Sequence, residues 1–316
     1  MSTINTLQEP WNGHTYKEVE TFVKNKIDDL RKKVYGDLLV PFTIEATQDG
    51  TTIYFRQTAL AESDGIAPLK VDVSTDNGVT WIEVEAVVTD DGVRGATIAS
   101  LNSGDKVLIR GNNSSYGYYS EGYGFAANNC NFWSNKPCYV YGNIMSLIRK
   151  ANFEDLNSVE RYAFAYFFAD YYRDLSYSWV LSKDGSPLVL PATTLAESCY
   201  ANMFNRCVSL VAAPKLPAIT LARECYANMF SRCTSLIEAP VLPATTLVNY
   251  CYEFMFYDCN NLSYIKALFT TTPSSTYTGG WVSGVSDTGT FVKSTLADWD
   301  VTGDNGIPSG WTIETA

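Results

Sequence analysis

The chain has 316 residues, 46% hydrophobic and 18% charged, with 34 acidic against 23 basic residues and a formal charge of −11. That is the composition of a globular protein of two or three domains, not of a disordered one. A chain so negative, with no Lys/Arg cluster beyond its first helix, repels phosphate backbones and anionic bilayers, and no run of ~18 apolar residues offers a spanning helix; nucleic acid and membrane insertion are therefore not expected.

Residues 1–37 read as a tether and an anchoring helix. The opening MSTINTLQEPWNGH has neither a basic region nor an apolar run of the secretory type, which points to a protein assembled in a cytoplasm. Pro10 to Gly13 reads as a turn, and Thr15 stands three residues before Glu18, a capping box that opens a helix. Tyr16, Val19, Val23, Ile27, Leu30 and Val34 then form one stripe ending at Gly36. At ~1.5 Å per residue the helix is about 30 Å long. Val19, Phe22, Val23, Ile27 and Leu30 are the candidate anchoring or oligomerisation residues; the alternative is that the helix packs on its own domain.

The segment PWNGHTYKEVETFVKNKI resembles an N-terminal block of structural proteins of bacteriophages that infect Bacteroides-type gut bacteria, crAss-like phages included. The residues that carry it are Trp11, Asn12, Gly13, His14, Glu18, Val19, Glu20 and Phe22. The resemblance implies a virion protein, built in the host cytoplasm and held to other virion proteins by its N terminus. Fibre proteins in general further suggest a homo-oligomer, with a trimer favoured.

Over residues 38–143 the hydrophobic period changes to two. TIEATQDGTTIYF and KVDVSTDNGVTWIEVE place Asp49–Gly50 and Asp76–Asn77–Gly78 between alternating runs, which reads as two hairpins. Further strands are expected at 97–101, 106–110 and 138–141, and so many short strands predict a β-sandwich. Between them lies GNNSSYGYYSEGYGFAANN. Tyrosines on a Gly/Ser-rich loop offer rigid contact area with a hydroxyl tip, so Tyr116, Tyr118, Tyr119 and Tyr123 are candidate ligand-binding residues. The competing reading is a loop folded over the sandwich or against a neighbouring subunit.

Residues 144–189, with Phe167 and Phe168, read as an atypical first coil that caps a repeat array. Residues 190–268 then carry one pattern three times, starting at Leu190, Leu216 and Leu242, each 26 residues after the last. A fixed period of this length is the mark of a solenoid. Leu195, Cys199, Met203 and Cys207 lie four apart, as does the set Leu221, Cys225, Met229 and Cys233, which predicts a short helix per copy. Pro214 and Pro217 predict an extended pass with a corner. The fold class expected is therefore α+β and multidomain: N-terminal helix, β-sandwich, and a short solenoid closed by a C-terminal cap.

The copies resemble BspA-like leucine-rich repeats on Cys199, Phe204, Cys207, Leu210 and Pro214, on Cys225, Phe230, Cys233, Leu236 and Pro240, and on Cys251, Phe256, Cys259 and Leu262. The third copy departs at Ile265–Ala267, where the proline is missing. Members of that family are mostly surface adhesins and binding proteins, so the resemblance implies recognition of a host-surface glycan or protein. The six repeat cysteines read as small buried hydrophobes, because helices about 8–10 Å apart are beyond disulfide reach. Cys130 and Cys138 could pair across a hairpin, although a reduced pair suits a cytoplasm better. Residues 269–316 form the C-terminal cap, with GTFVK and GWTIE able to pair as strands; such arrays end in a tail resembling GTFVK…GIPSGWT.

Chemistry is poorly served. His14 is the only histidine and lies in the tether, so no Ser-His-Asp or Cys-His pair can form inside the domains. Asp76/Asn77 and Asp300/Asp304/Asn305 sit at Gly turns where such residues are expected anyway, so no metal and no cofactor is anticipated. The expectation is a non-enzymatic virion protein of the head or tail, a fibre or decoration protein that displays its repeats for host attachment. The alternatives are a bacterial cell-surface adhesin and a glycan-active enzyme, since two carboxylates suffice for glycoside hydrolysis.

Overall fold

A computed structural model describes residues 15–57, 68–88, 94–117, 130–169 and 178–316. The chain opens with α1 (Tyr16–Tyr35), followed by a 3-10 turn at Gly36–Leu39. Nine strands come next: β1 (Phe42–Ala46), β2 (Thr51–Gln57), β3 (Lys70–Ser74), β4 (Ile82–Glu85), β5 (Val87–Val88), β6 (Arg94–Leu101), β7 (Lys106–Gly111), β8 (Cys130–Ser134) and β9 (Cys138–Asn143). They form two sheets: β9-β1-β7-β3-β4, extended by the short parallel strands β10 (Val180–Leu181) and β11 (Leu188–Val189) on β9, and β5-β6-β2-β8. The sheets face each other through the alternate residues of each strand; Phe42 of β1 lies 5.6 Å from Phe132 of β8, which stacks at 5.0 Å on Phe55 of β2.

The two expected hairpins behave differently. Around Asp76–Gly78 the hairpin forms, with Val73 paired to Ile82 and with Asn77 and Gly78 at φ 60° and 86°. Around Asp49–Gly50 it does not, since β1 pairs with β7 and β9 while β2 pairs with β6 and β8. The chain there passes from one sheet to the other. This crossing is fastened by Asp49, whose carboxylate accepts Ser103 N–H at 2.9 Å and whose carbonyl accepts the Lys136 ammonium.

The α+β class with a helix-plus-strand solenoid is corrected by the structure. The protein is mainly β, with fourteen strands and two α-helices among the described residues, and no helix-plus-strand coil is present among them. Within each 26-residue copy the segment expected to be helical is instead a ribbon of consecutive turns. Alternate amides point to the next copy, Tyr200 N–H to Cys225 O at 3.0 Å, Asn202 to Ala227 at 2.8 Å and Phe204 to Met229 at 2.9 Å. The amides between them close three-residue turns, as Met203 N–H does on Tyr200 O at 3.2 Å. To alternate in this way the backbone turns left-handed at every fourth residue: Ser198, Asn202 and Arg206 have φ of 54°, 58° and 65°. Each such residue costs about 1–2 kcal/mol, which the layer-to-layer hydrogen bonds offset.

The physical reason for the misreading is the period. A strict spacing of four drifts about 40° per step around an α-helix, so Leu195 and Cys207 would end about 120° apart, whereas in a four-residue turn ribbon they stay on one side. The layers at 198–206, 224–232 and 250–258 are continued at one end by turns at 162–168 and at the other by residues 276–283, which begin within the short helix α2 (Ser275–Thr278). Beside the last layers, β12 (Tyr264–Ala267), β13 (Thr290–Lys293) and β14 (Thr312–Thr315) form a parallel sheet. Tyr116 and Gly117 N–H bond to Ala163 and Tyr162 carbonyls, so the turn layers begin directly on the β-sheet part and share one apolar core with it.

Candidate functional site

α1 begins as its capping box dictates: Glu18 Oε2 accepts Thr15 N–H at 2.7 Å, and Thr15 Oγ1 accepts Glu18 N–H at 3.4 Å. It runs directly into the turn at Gly36–Leu39, and that root is held to β9 by Asn143, which donates to Leu38 O at 3.0 Å and to Val40 O at 2.7 Å. The helix does not pack its stripe on its own domain. Phe22 is 60% exposed, Ile27 51%, Leu30 59% and Val34 73%, with Val23 also exposed and Val19 half-buried. Val23, Ile27, Leu30 and Val34, aligned in water on one helix face with Phe22 on its flank, are a surface that another helix or groove can cover.

The tyrosine loop gives a different outcome. Tyr116 is 1% exposed. Its hydroxyl donates to Leu147 O at 3.0 Å and accepts from Asn113 Nδ2 at 2.8 Å, and its ring stacks on Phe164 at 6.0 Å. It is a core residue where the β-sheets meet the turn layers, not a ligand contact. Tyr118, Tyr119 and Tyr123 lie outside the described residues, as does His14.

From Tyr116 one aromatic column runs through the layers: Phe164, Tyr200, Tyr226 and Tyr252, with successive ring separations of 6.0, 5.9, 5.9 and 6.1 Å. A second runs Phe168, Phe204, Phe230 and Phe256 at 5.1, 5.4 and 5.9 Å, and both columns end on Trp281. In chain order the cysteines of each layer come before and after the two ring positions, and they act as weak donors. Cys233 and Cys259 thiols reach Phe204 O and Phe230 O of the preceding layer at 3.1 and 3.0 Å. Burial pushes the Cys199, Cys207 and Cys259 thiols up to about 12, so they are inert. Cys138 is likewise a free, buried thiol, with Ser134 Oγ at 3.3 Å and a titration pushed up by burial to about 11.

The solvent side of the turns carries what sequence reasoning missed. Arg161 pairs with Glu197 at 2.6 Å; Arg223 pairs with Glu224 at 3.0 Å and lies 5.5 Å over the ring of Tyr250. One step along, Arg232 pairs with Asp258 at 3.5 Å and lies over Tyr257 at 5.7 Å, beside the exposed Phe254. The one signal in the sequence was that positions between the apolar ones change from copy to copy, Ser198, Glu224 and Tyr250 being equivalent. At the suggested cation positions, Asp76, Asp300 and Asn305 make contacts within the protein. Asp76 accepts from Thr80 Oγ1 at 2.5 Å and Ser74 Oγ at 2.7 Å, which holds its carboxyl down to about 2. Asp300 pairs with Lys293 at 2.6 Å, and Asn305 accepts Gly280 N–H at 2.8 Å. Among the described residues no cluster of three or more His, Cys, Asp or Glu side chains is placed to hold a metal.

Fold and surfaces together define a two-sheet β domain continued by stacked turn layers, with an amphipathic helix projecting from its first sheet. No family model, no curated protein and no solved structure matches the chain.

Proposed function

We propose that the protein is a non-enzymatic structural component of a bacteriophage particle, a fibre or decoration protein of head or tail. In this reading α1 joins it to the particle and the turn layers are displayed to a host-surface glycan or protein. The observation that carries the reading is the apolar stripe of α1, with Ile27 and Leu30 more than half exposed on a single helix that leaves the first sheet. Such a stripe is stabilised when covered, by about 25 cal/mol per Å² of apolar surface removed from water. The Arg–Tyr–carboxylate clusters of the turn face support display. Arginine and tyrosine are the residues that dominate recognition surfaces, and here each arginine is already held over a ring.

The same clusters favour a second reading, a bacterial cell-surface adhesin, in which the turn face does the same work and α1 joins the protein to the cell envelope. Removing residues 1–36 tests the first reading. The remaining body is expected to fold and to be missing from purified particles; a truncated protein that is still incorporated refutes the anchoring role of α1.

A further inference from the structure

The exposed stripe of α1 has a geometry that selects its cover. Val19, Val23, Ile27, Leu30 and Val34 are spaced almost symmetrically about the point between positions 26 and 27. We infer that α1 is covered by the α1 helix of a second copy of this chain, running antiparallel about a two-fold axis through that point. The inference rests on the reading of α1 as the element through which the protein assembles, and it names the partner.

Turned about that axis, the stripe meets itself. Val19 faces the partner's Val34, Val23 faces the partner's Leu30, and Ile27 lies beside the axis against its own counterpart. The flanks agree as well. In an antiparallel pair like flank faces like flank, which brings Lys26 beside the partner's Asp29, and by symmetry Asp29 beside the partner's Lys26. The ring of Phe22, 60% exposed and already approached by Lys26 at 5.6 Å, is covered on its other side by the aliphatic stem of the partner's Lys33.

Charge along the helix selects the same direction. Residues 17–25 are balanced, Lys17 and Lys24 against Glu18 and Glu20, while in residues 26–34 Lys26, Arg31, Lys32 and Lys33 outnumber Asp28 and Asp29 by two. Parallel, in-register helices, the arrangement of a fibre trimer, crowd these positive ends together. The antiparallel pair sets each against a neutral half. An isologous contact of this kind closes at two copies, because both use the same surface. It also stabilises a helix of 20 residues, a length at which an isolated helix is marginal in water.

Sedimentation of the full-length chain against concentration, with cysteine cross-linking, tests this. A monomer–dimer equilibrium is expected, weakened at least about tenfold by Ile27→Asp, which sets two carboxylates facing each other at the axis. When Val23→Cys and Leu30→Cys proteins are mixed and oxidised, they are expected to link to each other in preference to themselves. A parent that stays monomeric at every concentration, or Val23→Cys that links to itself, overturns the inference. Incorporation into particles is scored separately. A monomer that enters particles removes the antiparallel pair and leaves the anchoring role, whereas a dimer that never enters does the reverse.

Discussion

The ring of Tyr200 lies parallel to that of Phe164, 5.9 Å away with planes 8° apart, and the two occupy the same position in successive turn layers. They differ in one oxygen. The Tyr200 hydroxyl is buried with no hydrogen-bond partner among the described residues, while the layer before it manages with phenylalanine. A buried hydroxyl that loses its water without replacement costs about 1–3 kcal/mol. Tyr200→Phe is therefore expected to raise unfolding stability by about 1 kcal/mol. Equilibrium denaturation in urea checks it, and a variant less stable than the parent would mean that the hydroxyl is satisfied.

Met229 is fully buried at the centre of the middle layer, where its amide closes a turn on Tyr226 O and its carbonyl accepts Phe204 N–H from the layer before. Met229→Asp places an unpaired carboxylate in that core and is expected to cost at least about 3 kcal/mol. Met229→Leu, close in volume, is expected to cost less than about 1.5 kcal/mol. Thermal melts of the two variants decide the matter, since equal midpoints for aspartate and leucine would place the side chain outside the core.

These two sites also mark how far the sequence could be read. The 26-residue period is written in residue identity, so the equivalence of Met203, Met229 and Met255 and their place in the core were legible. The backbone that carries them was not, because a four-residue spacing serves a helix and a turn ribbon alike, and the left-handed residues are not glycines but Ser198, Glu224 and Tyr250. α1 was legible because its cap and stripe are local. The crossing at Asp49–Gly50 was hidden because a turn signal says that the chain bends and not which strand it next pairs with. Tyr116 was misassigned for a similar reason: its composition belongs to the loop after it, but its amide bonds to Ala163, far along the chain.

Thiol reactivity gives a third test. Seven cysteines are free and buried, and burial raises the titration of Cys225 and Cys233 well above the ordinary thiol range, as it does for their neighbours. Reagent that attacks thiolates finds almost none at about pH 8. These seven thiols are expected to be silent towards Ellman's reagent in the native protein and to react together once it is unfolded. Fast labelling of any of them in the native state, read by peptide mapping, would show that the layers open locally.

Acid should find the joint between the β-sheets and the turn layers. Glu45 of β1 accepts Tyr141 Oη–H at 2.8 Å and the Lys183 ammonium, which also lies 4.9 Å over the ring of Tyr141. Burial by itself would raise the Glu45 titration, but the hydrogen bonds from Lys183 and Tyr141 outweigh it and the carboxyl is held below its ordinary value. A folded-state value below the unfolded one means that the stabilisation is present in full above the ordinary glutamate range, near about 4.3, and is lost as pH falls through the folded value. Glu45→Gln is therefore expected to be less stable than the parent at neutral pH, by about 1–3 kcal/mol. The gap should narrow progressively below about pH 4. Urea denaturation of both proteins from about pH 7 to about pH 3 reads the difference directly, and a gap constant across that range would mean that the carboxylate charge contributes nothing to holding the segment between β10 and β11, which bears Lys183, against the sheet.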